Sequence, residues 1–134
     1  MLEAFSFFMT KILIADDDAL VLRLLEFKLK QQGYSVILAH HGEEAISMAK
    51  SEKPSLILLD GMMPVMDGFE ALRHLKETPD LKNIPVIMLT MKGSESDIVG
   101  GLNLGAADYI VKPFKPAELV ARIQKVLGSK APTP

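Results

Sequence analysis

Ser55 to Gly68 reads SLILLDGMMPVMDG. Leu56, Ile57, Leu58 and Leu59 form an unbroken apolar run, which suits a short strand buried on both faces, as in a parallel sheet. The run stops at a carboxylate, Asp60. Gly61, Pro64, Asp67 and Gly68 then mark a loop. Asp67, followed by Glu70, reads as an N-cap with its capping-box partner, so a helix is predicted to start there. Asp60 is thereby placed at the carboxyl end of a buried strand, on the edge where open α/β sheets bind ligands. Taken alone, the same aspartate could simply start a turn.

The length of 134 residues fits one domain with a single sizeable core. About half the residues are apolar and the net charge is -2 with both signs scattered, which points to a globular chain with no nucleic-acid or membrane footprint. There is no cysteine, which excludes disulfides, thiolate metal sites and a cysteine nucleophile. No apolar run is long enough to span a membrane. The start, MLEAFSFFMTK, carries Glu3 where a signal peptide would carry positive charge, so a cytoplasmic location is expected. Met9-Thr10-Lys11 looks like a natural beginning, so residues 1–10, with Phe5, Phe7 and Phe8, read as an N-terminal extension. Residues 11–128 read as the domain, and 129–134 as a tail or the start of a linker.

The same strand-then-helix pattern recurs on both sides of the central stretch. KILIA at 11–15 is a strand ending at Asp16-Asp17-Asp18, and Asp18 is placed to cap a helix over about 19–32. The apolar face of that helix is assigned to Leu20, Val21, Leu24, Leu25 and Phe27, with Gly33 as the residue after its C-cap. SVILA at 35–39 is a second strand, followed by His40-His41-Gly42 and a helix over 43–51 with Ala45, Ile46, Met48 and Ala49 inward. The helix over about 68–77 buries Phe69, Leu72 and Leu75. PVIML at 85–89 is a strand ending at Thr90. Ser94 with Asp97 caps a helix to about 104, which Gly100 and Gly101 weaken. DYIV at 108–111 is the last strand, ending at Lys112-Pro113, and a final helix runs over about 116–127 with Pro116 in its first turn. Such alternation predicts a parallel sheet with helices on both faces and all carboxyl ends on one edge.

That edge then gathers Asp16, Asp17, Asp60, Thr90 and Lys112. Close carboxylates repel and need a cation or a shared proton. An acidic, all-oxygen cluster suits Mg²⁺. A metal beside a carboxylate and a lysine suits an incoming phosphoryl group, and a carboxylate oxygen can itself be the nucleophile. A structural salt bridge among Asp17, Asp60 and Lys112 is the competing reading, but burying that many acids for structure alone is costly.

ILIADDD, LLDGMMPVMDG, the threonine after PVIML, and GAADYIVKPF occur in this order over residues 10–128. On these marks the chain resembles the receiver domain of two-component response regulators, the CheY-like family. The resemblance, rather than the pattern of runs, implies a flavodoxin-like α/β fold with strand order 2-1-3-4-5. It implies that Asp60 is the phosphoacceptor, with Asp17, Asp60 and the Met62 backbone carbonyl as Mg²⁺ ligands and Asp16 acting through a metal-bound water. Lys112 would pair with Asp60 and then with a phosphoryl oxygen. Thr90 would be the switch hydroxyl, Tyr109 the aromatic that follows it, and the Met91 backbone N–H a further contact to the phosphoryl group. A cis bond is implied at Lys112-Pro113.

The implied partners are a sensor histidine kinase or a histidine phosphotransfer protein as donor. An output domain or protein would be reached through the face of the fourth helix, fifth strand and fifth helix. The chain would be a monomer or weak dimer and no enzyme in its own right. A Mg²⁺-dependent aspartyl-phosphate phosphatase is the alternative; such enzymes typically need a second aspartate two residues after the nucleophile, where this chain has Met62. Lys115 stands where a small hydroxyl cap is common. Met91 stands where a small residue is usual, and is expected either to lean over the site or to fill a gap beside the fourth helix. The methionines at 62, 63, 66, 88 and 91 read as packing, and His40 and His41 as ordinary loop residues.

Overall fold

A computed structural model describes residues 10–128. The expected extension, Thr10 apart, and the tail lie outside that range. Thr10 is continuous with the domain, since its carbonyl accepts the Ser35 N–H at 2.9 Å. Five strands and five helices alternate: β1 Lys11–Ala15, α1 Ala19–Gln31, β2 Ser35–Ala39, α2 Gly42–Glu52, β3 Leu56–Leu59, α3 Gly68–Glu77, β4 Val86–Thr90, α4 Glu95–Asn103, β5 Asp108–Val111 and α5 Pro116–Leu127. The strands form one sheet in the order β2-β1-β3-β4-β5, with every neighbouring pair parallel. The fold is the flavodoxin-like one expected.

Period-two alternation divides the sheet into two cores. Leu13, Ala15, Ile57, Leu59, Val86 and Met88 face α2 and α3, where Ala45, Ala49, Ala71, Leu72 and Leu75 meet them. Ile12, Ile14, Leu56, Leu58, Ile87 and Leu89 face the other way, onto Leu22, Leu25 and Leu29 of α1 and Leu119, Ile123 and Leu127 of α5. β3 is central and buried on both faces along its whole length, as its unbroken apolar run requires.

The helix starts are set by the expected caps. Asp18 accepts the N–H groups of Leu20 and Val21, Asp67 that of Glu70, and Ser94 that of Asp97. His41 caps α2 through its ring nitrogen, accepting the Glu44 N–H at 3.2 Å, while His40 pairs with Glu44. α5 begins at Lys115 without a side-chain cap. Gly33 and Gly105 follow α1 and α4 at positive φ, 93° and 110°.

The apolar face assigned to α1 needs correction. Leu22, Leu25 and Leu29 are its buried residues, whereas Leu20, Leu24 and Phe27 are 66%, 61% and 65% exposed. Leu20, Leu24 and Phe27 recur at helical spacing, but so do Leu22, Leu25 and Leu29. The helix carries two apolar stripes, and the sheet takes only one.

Candidate functional site

The parallel register brings the strand ends level. Ala15 pairs with Leu59 and Thr90 with Val111. The ladder runs one residue further: Asp60 N–H donates to Ala15 O at 3.0 Å, Asp16 N–H to Ala39 O at 3.1 Å, and Lys112 N–H to Thr90 O at 2.8 Å. Asp16, Asp60 and Lys112 are thus fixed by the backbone on one edge, with Thr90 ending β4 beside them. Lys112-Pro113 is a cis peptide bond, as the resemblance implied.

Asp16, Asp17 and Asp60 each offer a carboxylate oxygen, and these oxygens lie within 4.8 Å of one another. Asp16 and Asp60 are buried, 2% and 7% exposed, while Asp17 faces solvent. One oxygen of Asp60 accepts the Met62 N–H at 3.0 Å. Burial pushes the Asp60 carboxyl above the usual carboxylate range, and the negative charges of Asp16 and Asp17 add to the rise; the Met62 N–H and the Lys112 ammonium oppose it. This is the electrostatic signature of acids gathered where a cation can be held.

The lysine pairs with Asp60 as expected, but a second carboxylate lies closer. Lys112 Nζ lies 2.6 Å from Asp16 Oδ2 and 3.8 Å from Asp60 Oδ2. Its first partner is therefore Asp16, the more deeply buried carboxylate. The other oxygen of Asp16 accepts the Asp18 N–H at 2.9 Å. Both Asp16 oxygens are thus engaged, while Asp60 Oδ2 keeps a looser partner.

Thr90 is fully buried, and its hydroxyl accepts the Lys92 N–H at 3.2 Å. Tyr109 is buried as well; its hydroxyl donates to the Lys92 carbonyl at 2.6 Å and its ring stands 6.3 Å from that of Phe69. Burial, and then the charge of Asp97, raise the Tyr109 hydroxyl pKa.

The glycines of the β3–α3 loop carry more than a turn signal. A Cβ on Gly68 would lie 2.0 Å from the Asp60 carbonyl oxygen, and one on Gly61 would lie 3.0 Å from Thr90 Oγ1 and 2.8 Å from the Phe69 ring. Gly68 lets the start of α3 close onto Asp60, with its N–H bonded to Gly61 O at 3.1 Å. Gly61 leaves room for Thr90. Both sat in the sequence as loop markers; the available signal was that they bracket the loop between a buried strand and the helix that follows it.

The methionines divide. Met63 and Met88 are buried, as packing requires, but Met62 and Met91 are exposed. Met91 lines an apolar groove of about 400 Å³ between α1 and α5, shared with Val21, Leu24, Phe114 and Lys112. That is the flank opposite α4, so the expectation that it fills a gap beside α4 is corrected.

A family model described as the response regulator receiver domain matches residues 12–124. The probable transcriptional regulator ycf27 of Porphyridium aerugineum is 51% identical over 87% of this chain and 48% of its own length. The alkaline phosphatase synthesis transcriptional regulatory protein PhoP of Bacillus subtilis (strain 168) is 46% identical over 87% of this chain and 48% of its own length. The chain thus spans about half the length of the curated relatives it matches. A solved structure of a putative response regulator from Chloroflexus aurantiacus J-10-fl superposes with a TM-score of 0.84 at 37% identity, covering 89% of this chain and 98% of that one. With the acidic edge, the buried threonine and the lysine in place, the chain belongs to the receiver-domain family of two-component response regulators.

Proposed function

We propose that Asp60 is the residue that takes the phosphoryl group, and that Asp17, Asp60 and the Met62 carbonyl hold Mg²⁺. The observation that carries this is the convergence of a buried, charge-strained Asp60 with Asp16, Asp17, Thr90 and Lys112 on one sheet edge. The donor set is all oxygen and lacks the nitrogen and sulfur ligands that zinc sites favour, which fits Mg²⁺. When bound, Mg²⁺ supplies positive charge against the phosphoryl oxygens.

The chain's own groups account for the rest of the transfer. An Asp60 carboxylate oxygen forms the new bond to phosphorus as the bond from phosphorus to the donor's imidazole nitrogen breaks, and the imidazole leaves with that electron pair. Lys112, loosely paired with Asp60, is free to turn its ammonium to a phosphoryl oxygen while Asp16 anchors it. The Thr90 hydroxyl can donate to a second oxygen, and the Met91 N–H to another. Asp16, with both oxygens engaged, suits a role through a metal-bound water. The acyl phosphate then shifts an equilibrium between two arrangements of Thr90, Tyr109 and α4, and so changes what binds the α4–β5–α5 face.

A sensor histidine kinase or a histidine phosphotransfer protein is the donor in this reading, and the output partner is unnamed. The domain is regulatory and not an enzyme with turnover on a separate substrate. It works as a monomer or weak dimer in the cytoplasm, without binding nucleic acid itself. No helix among the described residues is long and apolar enough to cross a membrane. Residues 11–128 make up the receiver, with 1–10 an extension and 129–134 a tail or linker. Phosphorylation by a small phosphodonor should stop when Mg²⁺ is chelated and slow in Asp17→Ala. Transfer that persists at full rate in chelator would refute the metal assignment.

A further inference from the structure

Gly100 and Gly101 are adjacent in α4 but occupy different surroundings. A Cβ on Gly100 would meet nothing within 4 Å. A Cβ on Gly101 would lie 2.9 Å from two ring carbons of Tyr109 and 3.5 Å from the Phe69 ring. Gly101 is also the buried residue of α4. The Tyr109 ring thus occupies the space that any other residue at 101 would fill.

The same ring is tied to the phosphorylation edge through one residue. Tyr109 donates to the Lys92 carbonyl at 2.6 Å, and the Lys92 N–H donates to Thr90 Oγ1 at 3.2 Å. The Lys92 ammonium lies 5.4 Å from the centre of the Phe69 ring, which also flanks Tyr109. A hydroxyl has one proton and two lone pairs. Thr90 can therefore accept from Lys92 and donate to a phosphoryl oxygen at the same time. Fixing Lys92 from the tyrosine side accordingly helps to orient the Thr90 hydroxyl.

We propose that Gly101 is a positioning residue: its missing side chain is the notch that lets the Tyr109 ring lie under α4 with its hydroxyl on Lys92, and so couples α4 to the Thr90 hydroxyl. The functional part of this rests on the reading of Asp60 as phosphoacceptor. A methyl group at 101 would stand closer to the ring than side chains tolerate. The ring, a side chain, gives way before the helix backbone does, and its departure breaks the link. A methyl group at 100 meets no atom and leaves the link intact.

The experiment compares Gly101→Ala, Gly100→Ala and Tyr109→Phe by NMR, together with the rate of phosphorylation by acetyl phosphate and Mg²⁺. Gly101→Ala should lose the cross-relaxation between the Tyr109 and Phe69 rings. Its Lys92 amide, whose bond to Thr90 is no longer braced by the tyrosine at the Lys92 carbonyl, should exchange about five- to tenfold faster. Gly100→Ala should keep both signals and the wild-type rate. Tyr109→Phe cannot disturb packing at the notch; it should keep the ring contact and still speed exchange at Lys92. Phosphorylation should slow in Gly101→Ala, and Gly101→Ala should cause no further slowing once Tyr109 is already alanine. Retention of the ring contact in Gly101→Ala, unchanged Lys92 exchange in Tyr109→Phe, or equal slowing with and without the ring would each overturn the proposal. Failure of the wild-type protein to accept a phosphoryl group would instead overturn the reading of Asp60, while the NMR arm would still judge the notch.

Discussion

α1 and α4 flank the same site from opposite faces of the sheet, and they are held in opposite ways. α1 drives three leucines of its own, Leu22, Leu25 and Leu29, into the core, and still has Leu20, Leu24 and Phe27 left on its outer surface. α4 buries only Gly101, with Ile98 partly buried against the core. α1 anchors itself, whereas α4 is held by a tyrosine ring reaching out from β5. A helix that inserts large side chains cannot move without opening a cavity. A helix that receives a ring withdraws no large side chain of its own when it shifts, and the ring, itself buried in the core, stays with the sheet. The two helices thus differ in where the large side chains between helix and sheet originate.

The largest effects should come from the inner stripe of α1. Leu22→Ala should cost about 2–5 kcal/mol in chemical denaturation, the range for a buried leucine. Leu24→Ala, on the outer stripe, should change stability by only about 0.5 kcal/mol. Equal costs would mean that the outer stripe is buried in solution and that the contrast with α4 is misplaced.

The site between the two helices should show a pH-dependent effect. The Asp60 carboxyl is raised above its ordinary value by burial and by Asp16 and Asp17. A raised carboxyl contributes stability below its unfolded-state pKa, and that contribution is lost as pH rises through the folded-state pKa. Metal-free Asp60→Asn should therefore melt above the wild type at neutral pH, by a few degrees. The difference should vanish when pH falls below the unfolded-state value. A gain that persists unchanged in acid would point to a cause other than ionisation.

On α4 the effect should be smaller and of opposite sign from what a core substitution gives. Gly100→Ala should stabilise by about 0.5–1 kcal/mol, because alanine loses less backbone freedom on folding and meets no atom here. A destabilising result would show that α4 needs the flexibility of both glycines.

The smallest effect on stability should come at Met91. It is 67% exposed and sits in the groove beside Lys112 on the α1 side. Met91→Ala should shift stability by no more than about 0.5 kcal/mol, yet shorten the lifetime of the acyl phosphate by easing the approach of water. An unchanged lifetime would remove any gating role and leave the groove as the only use for this side chain.

Most of the fold was legible because each element carried an independent local signal. β3 was marked by its apolar run, α3 by Asp67, α4 by Ser94 with Asp97, and the end of α1 by Gly33. The site was legible because strand ends in a parallel sheet share an edge, which gathered Asp16, Asp60, Thr90 and Lys112 on one side, and the resemblance supplied the strand order that makes them neighbours. Three features were not legible, each for a physical reason. The two stripes of α1 have the same helical spacing, and only the sheet decides which is inside. The closer approach of Lys112 to Asp16 than to Asp60, 2.6 against 3.8 Å, is a matter of side-chain placement within the cluster that motifs do not encode. The jobs of Gly61, Gly68 and Gly101 are defined by close approach to atoms outside their own elements, on Thr90, Asp60 and Tyr109, and spacing along the chain does not encode such contacts.

The proposed role of this edge is to place a phosphoryl group on Asp60. Incubation with acetyl phosphate and Mg²⁺, followed by intact-mass analysis and peptide mapping, tests it most directly. One phosphoryl group should appear on the peptide that holds Asp60, labile as an acyl phosphate, and Asp60→Asn should carry none. An acid-stable label on a serine or threonine, or undiminished labelling in Asp60→Asn, would contradict the account.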